Sequence, residues 1–226
     1  MSSVLAKIFN QAEITFSIRN SDAYKQNFML LKKLVDSLVF SDLNLNPILF
    51  SKAAFQVKNK APCTFINLYE KQNSTFSMSI FIMNGNYKMP LHDHPNMCGL
   101  LRVISGQIKV ESYTRIKSDI EDEILVKAEE PKILDELSAS AVLFPENSNF
   151  HEITALNEPA AFFDILAPPY SDYNDSMEPG SRHCSFYKKI MFENCGKSPI
   201  LKLVKIDVPD HYYCDSVAYK QPDFMR

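Results

Sequence analysis

The sequence predicts an all-β fold, a double-stranded β-helix of the jelly-roll type preceded by a helical N-terminal segment. Three observations carry that prediction. From Pro62 onward the chain falls into short runs rich in Phe, Ile, Val, Thr and Tyr. Gly, Pro and Asn divide those runs at close intervals, which is the spacing of a sandwich or barrel and not of βαβ units. Apolar recurrence at three and four residues is confined to the first fifty positions.

In that N-terminal part, DAYKQNFMLLKKLVDSLVF places Phe28, Leu31, Leu34, Val35, Leu38 and Val39 on one helical face, with Lys32, Lys33 and Asp36 on the other. Asp22 is the expected N-cap, and Pro47 is expected to close the region. An amphipathic helix of this kind either docks on a membrane or packs beneath a sheet, and packing is the expectation. The strand runs are CTFINLYE, TFSMSIFIM, CGLLRVIS, QIKVESYTRI, EILVKA, SAVLF, FHEITAL and AAFFDILA. Ser105-Gly106 suits a hairpin turn, and Lys117–Glu123 reads as a solvated acidic loop. Pro168-Pro169 fixes φ and withdraws N–H donors, so it stops the preceding strand. A Pro- and Asp-rich loop follows, then two late strands in HCSFYKKIMF and PILKLVKI, then a tail expected to be mostly loop. Residues 1–226 are expected to form a single domain, with residues 1–50 as a helical extension packed on the barrel.

Composition narrows the function. The 226 residues carry a net charge of −3, which leaves no electrostatic footprint for nucleic acid or an anionic membrane. Five cysteines without a C-x-x-C pair make a poor disulfide framework and a poor zinc ribbon. The first residues lack the uninterrupted apolar core of a secretory signal, and no window approaches the roughly 18 apolar residues of a membrane span. A reducing compartment is expected, the cytoplasm first and the nucleus as the alternative, and the chain is expected to be a monomer.

The chemistry is concentrated in Lys88–Gly106, reading KMPLHDHPNMCGLLRVISG. If this run is extended, His92 and His94 project to the same side and Asp93 to the other. Neutral imidazole is a common transition-metal ligand, and the third ligand is expected to be His151 in FPENSNFHEITAL. The competing reading is three satisfied polar side chains with no metal.

This pattern resembles the two-part motif of the cupins: a Gly, then H-x-H, a Glu a few residues on and a Gly at the turn, followed later by a Pro-containing turn and a His. Gly85, His92, His94, Gly106, Pro145 and His151 fit it. Cys98 and Gly99 stand in the two places open to the Glu. Asn147 replaces the usual Gly, with one extra residue before His151. Three neutral nitrogen ligands and no carboxylate remain.

The segments MPLHDHPNMCGLLRVISGQIKVESY and FPENSNFHEITALNEPAAFFDILAPPY further resemble the cysteamine (2-aminoethanethiol) dioxygenase and plant cysteine oxidase family of thiol dioxygenases. APCTFINLYE, HCSFYKKI and LVKIDVPDHYYC extend the likeness over roughly Lys7 to the C-terminus. The resemblance implies Fe(II) held by His92, His94 and His151, with molecular oxygen converting an amine-bearing thiol to the sulfinic acid. Its implied substrates are cysteamine or proteins exposing an N-terminal cysteine, whose oxidation serves oxygen sensing. It further implies Asp164 as a catalytic group that bonds the substrate amine or handles its proton. Tyr170 is implied as a phenolic donor to substrate or oxygen. Cys184 is a candidate for a position just behind the ligands, and Cys98 is expected to be a small core residue, with a place just behind the ligands as the alternative. Some members carry Cys-x-Tyr where this chain has Cys184-Ser185-Phe186, and alternation puts Tyr187 on the face opposite Cys184, against a cross-link between them. The alternative to an enzyme is a cupin module that senses or binds a metal or ligand without turnover.

Overall fold

A two-sheet architecture follows from strands that bury both faces. The computed structural model describes residues 3–18, 22–120, 122–171, 181–193 and 199–225. Among these, the strands are β1 (Cys63–Tyr69), β2 (Ser77–Met83), β3 (Lys88–His92), β4 (Cys98–Ser105), β5 (Gln107–Ile116), β6 (Ile124–Ala128), β7 (Lys132–Asp135), β8 (Ala141–Leu143), β9 (Phe150–Ala155), β10 (Ala160–Ala167), β11 (Phe186–Glu193), β12 (Ile200–Ile206) and β13 (Cys214–Ser216). One sheet has the order β13-β1-β2-β10-β4-β8, the other β6-β12-β11-β3-β9-β5-β7. Every pairing is antiparallel except that of β1 with β13.

Two helices, α1 (Val4–Ser17) and α2 (Asp22–Asp36), cover the six-stranded sheet. In α1 the buried Leu5, Ile8, Phe9, Ala12 and Phe16 recur at three and four, and the Ser3 hydroxyl caps the start by accepting from the Ala6 N–H. They meet Ile66, Leu68, Met78, Ile80, Phe163 and Ile165 from β1, β2 and β10. Full burial of such a side chain contributes roughly 1.5–3 kcal/mol, so this contact stabilises more than the helices' own propensity. The alternate residues of the same strands face inward. Phe65, Phe81 and Phe162 turn towards the opposite sheet, where Met89 and Ile153 await them. Because both faces of β10 are covered, all eight of its residues are buried, which explains its unbroken apolar run and isolates Asp164 within it.

Several expectations change. Ser105-Gly106 does not close a hairpin: β4 and β5 belong to different sheets, and the turn carries the chain from one to the other. Gly106 sits at φ +73°, and a Cβ there would lie 2.6 Å from the Pro159 carbonyl oxygen, so the crossing requires a bare backbone. Asp22 is the first helical residue of α2 and not the residue before it, which still puts a carboxylate at the positive end. The helix stops at Asp36, so Leu38 tucks into the core while Val39 is exposed. Pro47 opens a short 3-10 turn, Pro47–Phe50, instead of ending the region. A one-turn helix, α3 (Lys52–Phe55), follows it. In the loop before β6, Glu123 is not solvated: it accepts from Ser118 Oγ and Lys202 Nζ. The tail contributes β13, a strand too short to carry a local signal. β10 does stop at Ala167, as the two prolines require.

Candidate metal centre

Register brings the first two histidines together. His92 is the last residue of β3, His151 the second of β9, and they are directly paired across the two strands. Opposed residues of this kind hold their Cβ atoms about 4.5–5.5 Å apart. His94 lies just beyond the end of β3, where strand geometry no longer fixes it, and Asn149 does so instead. The His94 N–H donates to Asn149 Oδ1 at 3.0 Å. Asn149 Nδ2 donates back to the His94 carbonyl at 2.8 Å and to that of Phe144 at 3.2 Å. The three ring centroids then lie 4.6–5.0 Å apart.

The far side of each ring is occupied, and that decides which nitrogen is left for a metal. His92 Nδ1 lies 2.8 Å from the Pro90 carbonyl oxygen, which can only accept, so this nitrogen carries the proton. The Tyr170 hydroxyl donates to the Asp93 carbonyl at 2.7 Å and therefore accepts from His94 Nδ1, also at 2.7 Å. The main chain of Ser148 hydrogen-bonds the His151 ring. These partners assign the tautomers and turn the Nε2 lone pairs inwards. The Nε2 atoms of His94 and His151 are 3.3 Å apart, and one donor atom from each of the three residues lies within 4.8 Å of the others. Metal–nitrogen bonds of about 2.1 Å at right angles would separate the donors by about 3 Å; His94 and His151 already stand near that separation, and the widest pair would close by up to about 1.8 Å.

Burial lowers all three imidazole pKa values. It does so well below the ordinary value for His94, where the neighbouring imidazoles add to it, and for His151, where His92 adds to it. The rings are neutral at pH 7, the form that binds metal. Asp93 points away, as alternation requires. Its carboxylate accepts from the Ser185 N–H and the Tyr187 hydroxyl, each at 2.8 Å, and so ties the ligand loop to β11. Burial raises this carboxyl above its usual range while those two bonds pull it back.

Tyr170 thus stands behind His94, with its own hydrogen already given to Asp93, and in this arrangement does not offer a proton to a guest. Tyr170→Phe should weaken metal binding about 10–100-fold by freeing the His94 ring. Competition against a chromophoric chelator measures this, and an unchanged affinity would reduce Tyr170 to packing.

In front of the triad opens a cavity of about 480 Å³, lined by both sheets and by Tyr170, Ser171, His183 and Cys184. Asp164 faces it. Burial pushes its carboxyl up to about 7, against the weak opposing pull of the Ile165 main chain. Among the described lining residues the only charged carboxylic side chains are Glu70 and Asp164, and none is Lys or Arg. Arg182, close by in sequence, donates instead to the Pro169 carbonyl at 2.8 Å.

The two cysteine candidates separate. Although Cys184 is exposed as a residue, its thiol turns in beside Tyr170, and burial of that atom pushes its pKa up to about 12. Tyr187 meanwhile is held by Asp93, which agrees with the expectation that it does not meet Cys184. Cys98 is not at the site. It lies on the helix-covered face of β4, its thiol 3.3 Å from the Ala167 carbonyl and 3.4 Å from the Tyr24 hydroxyl. His183, in the loop before β11, lines the cavity; His211 does not. Asn149 is a positioning residue with no local sequence signal, since the partner it holds is 55 residues away. Residues 172–180 of the Pro- and Asp-rich loop, and Cys195, lie outside the described residues.

The chain is similar to known proteins over most of its length. A 2-aminoethanethiol dioxygenase from Mus musculus is 29% identical over 261 residues, spanning 100% of this chain and 98% of the relative. Its counterpart from Homo sapiens is 28% identical over 272 residues, with 98% and 97% covered. Plant cysteine oxidase 2 from Arabidopsis thaliana is 26% identical over 188 residues, with 80% and 64% covered. A solved cupin domain from Enterobacter cloacae overlaps 48% of this chain and 98% of its own at 13% identity and a TM-score of 0.34. That overlap is too small to carry an argument, and the two-sheet architecture rests on the strand pairing. The PCO_ADO family model matches residues 34–224, a span holding all three histidines together with Asp164 and Tyr170, and the chain belongs to that family.

Proposed function

We propose that the chain is an Fe(II)-dependent thiol dioxygenase that takes a thiol bearing a nearby free amine to the sulfinic acid with one molecule of O2, both oxygen atoms going to sulfur. The observation that carries this reading is the set of three buried imidazoles, one ligand atom of each within 4.8 Å of the others, on the floor of a cavity whose described lining holds two carboxylic side chains and no Lys or Arg. A three-nitrogen site leaves corners for other ligands, and ferrous iron bound there supplies acidity towards the thiol and a redox partner for O2.

The chain's own groups do the rest. Phe81, Phe162 and Ile153 keep the floor dry, which strengthens each polar contact made there. Asp164 is placed to hold an ammonium or to take a proton from it. Asn149, Tyr170 and Asp93 hold His94 and its loop in place. Free cysteine would bring its own carboxylate beside Glu70 and Asp164 with no Lys or Arg among the described lining residues to receive it, whereas cysteamine and a Cys-initiated peptide bring only the amine. A cavity of this volume has room for more than cysteamine. In this reading the enzyme is a monomer of the cytoplasm with no nucleic-acid or membrane partner; no helix among the described residues is long and apolar enough to cross a membrane.

Iron-loaded protein offered cysteamine and a Cys-initiated peptide together should add two oxygens to each, read by mass spectrometry. Free cysteine should turn over at least about tenfold more slowly, the scale of one uncompensated charge contact. Stoichiometric iron with no oxygen uptake on any of the three thiols would leave a binding module and not an enzyme.

A further inference from the structure

Away from the metal centre, two thiols face each other across a strand pair. Cys63 begins β1, Cys214 begins β13, and the parallel register sets them directly opposite. Neighbouring strands run about 4.8 Å apart, within the 4.4–6.8 Å between Cα atoms that a disulfide spans, and opposed residues share a face. The two side chains are in contact. Cys63 is fully buried in the core between the sheets, and Cys214 packs on the same cluster with an accessible edge. We propose that Cys63 and Cys214 form an oxidisable dithiol, a modification site for a peroxide, with Cys214 as the attacking thiol and Cys63 as the resolving one.

The division of labour follows from access and surroundings. Cys63 is fully buried with its S–H directed to the Thr64 carbonyl at 3.9 Å, whereas Cys214 keeps an accessible edge. The adjacent Cys63 and Tyr212 side chains lower the pKa of the Cys214 thiol, while the adjacent Cys214 and burial raise that of Cys63. The Cys214 thiolate attacks one peroxide oxygen: an S–O bond forms, the O–O bond breaks, and the leaving oxygen departs as water. Cys63 sulfur then attacks the sulfenic sulfur of Cys214: the S–S bond forms, the S–O bond breaks, and a second water leaves. Two thiols lose two electrons and two protons, and one hydrogen peroxide becomes two waters. The product would fasten β13 to β1. Tyr212, two residues before Cys214, and Phe65 of β1 both line the cavity, so the clasp joins two parts of its wall.

The test is peptide mapping of the reduced full chain, held with a chelator so that no metal generates radicals, after brief treatment with a small excess of hydrogen peroxide. Cys63 and Cys214 should lose reactivity towards an alkylating agent together, yield one linked peptide, and recover both on reduction. Cys63→Ser should leave Cys214 as a sulfenic acid that dimedone labels ahead of Cys184. The proposal is overturned if both cysteines remain alkylatable in the wild-type chain once Cys184 is oxidised, or if Cys214 links to another cysteine. The wild-type map decides this even if Cys63→Ser does not fold.

Discussion

Replacing His151 by alanine should abolish metal retention and turnover while leaving the folded chain intact. If three nitrogens share roughly 10 kcal/mol, the low end for a protein metal site, each supplies on the order of 3 kcal/mol, a hundredfold or more in affinity. The fold loses less than a buried side chain usually costs. In the metal-free chain the three imidazoles are desolvated, and His92 lowers the pKa of both other rings, so removing one relieves part of that cost. The readout independent of activity is thermal. A metal at a hundred times its Kd stabilises the wild type by about 2.7 kcal/mol, roughly 5–11 °C for a chain of this length. His151→Ala should show no such shift at the same concentration, with a metal-free Tm close to the wild type's. A His151→Ala protein holding one equivalent of iron at full activity would remove this residue from the ligand set.

Much of this arrangement was legible because it is written locally. Strand runs such as CTFINLYE, QIKVESYTRI and AAFFDILA match β1, β5 and β10 to within a residue, since two-sided burial produces β-branched and aromatic runs bounded by turn residues. H-x-H was legible for the same reason: the period of two dictates a shared side without knowledge of the fold. What was not legible depends on partners distant in sequence. Nothing near Asn149 says that its amide will hold the loop of His94, 55 residues away. The three residues of β13 become a strand only because β1 runs beside them. Ser105-Gly106 has the composition of a hairpin turn, and only the pairing of β4 with β10 and β5 with β9 shows that it changes sheets. Tyr170 lines the cavity as its place in DILAPPY suggests, while its hydroxyl also meets one main-chain oxygen, of Asp93, and one ring nitrogen, of His94, contacts that no motif encodes.

Asp164→Asn should move stability and turnover in opposite directions, which separates a working carboxylate from a structural one. The carboxyl is buried at the cavity wall between β2 and β4, and burial raises its pKa from an ordinary 3.8 to about 7. A carboxyl raised on folding contributes stability that is complete below its unfolded value near 3.8 and is lost as pH rises through about 7. That interval corresponds to roughly 4 kcal/mol as an upper bound, the cost of keeping a bare charge in the wall at neutral pH. Asparagine has the same shape and no charge. The metal-free Asp164→Asn chain should therefore be more stable than the wild type at pH 8, with the advantage fading towards pH 4. Turnover should go the other way. The ionised form is the one that can pair with an ammonium or accept its proton, so kcat/KM of the wild type should rise with pH along a limb at or somewhat below 7, since a divalent ion in the same cavity favours the carboxylate. The variant should retain metal, lose that limb, and turn over about 10²-fold or more slowly, the usual scale for an acid–base group. Near-normal rates with an unchanged pH profile would show that Asp164 only fills its place in β10. A stability cost of this size, carried at the one polar position of an apolar strand facing the metal, is what a group kept for its chemistry should show.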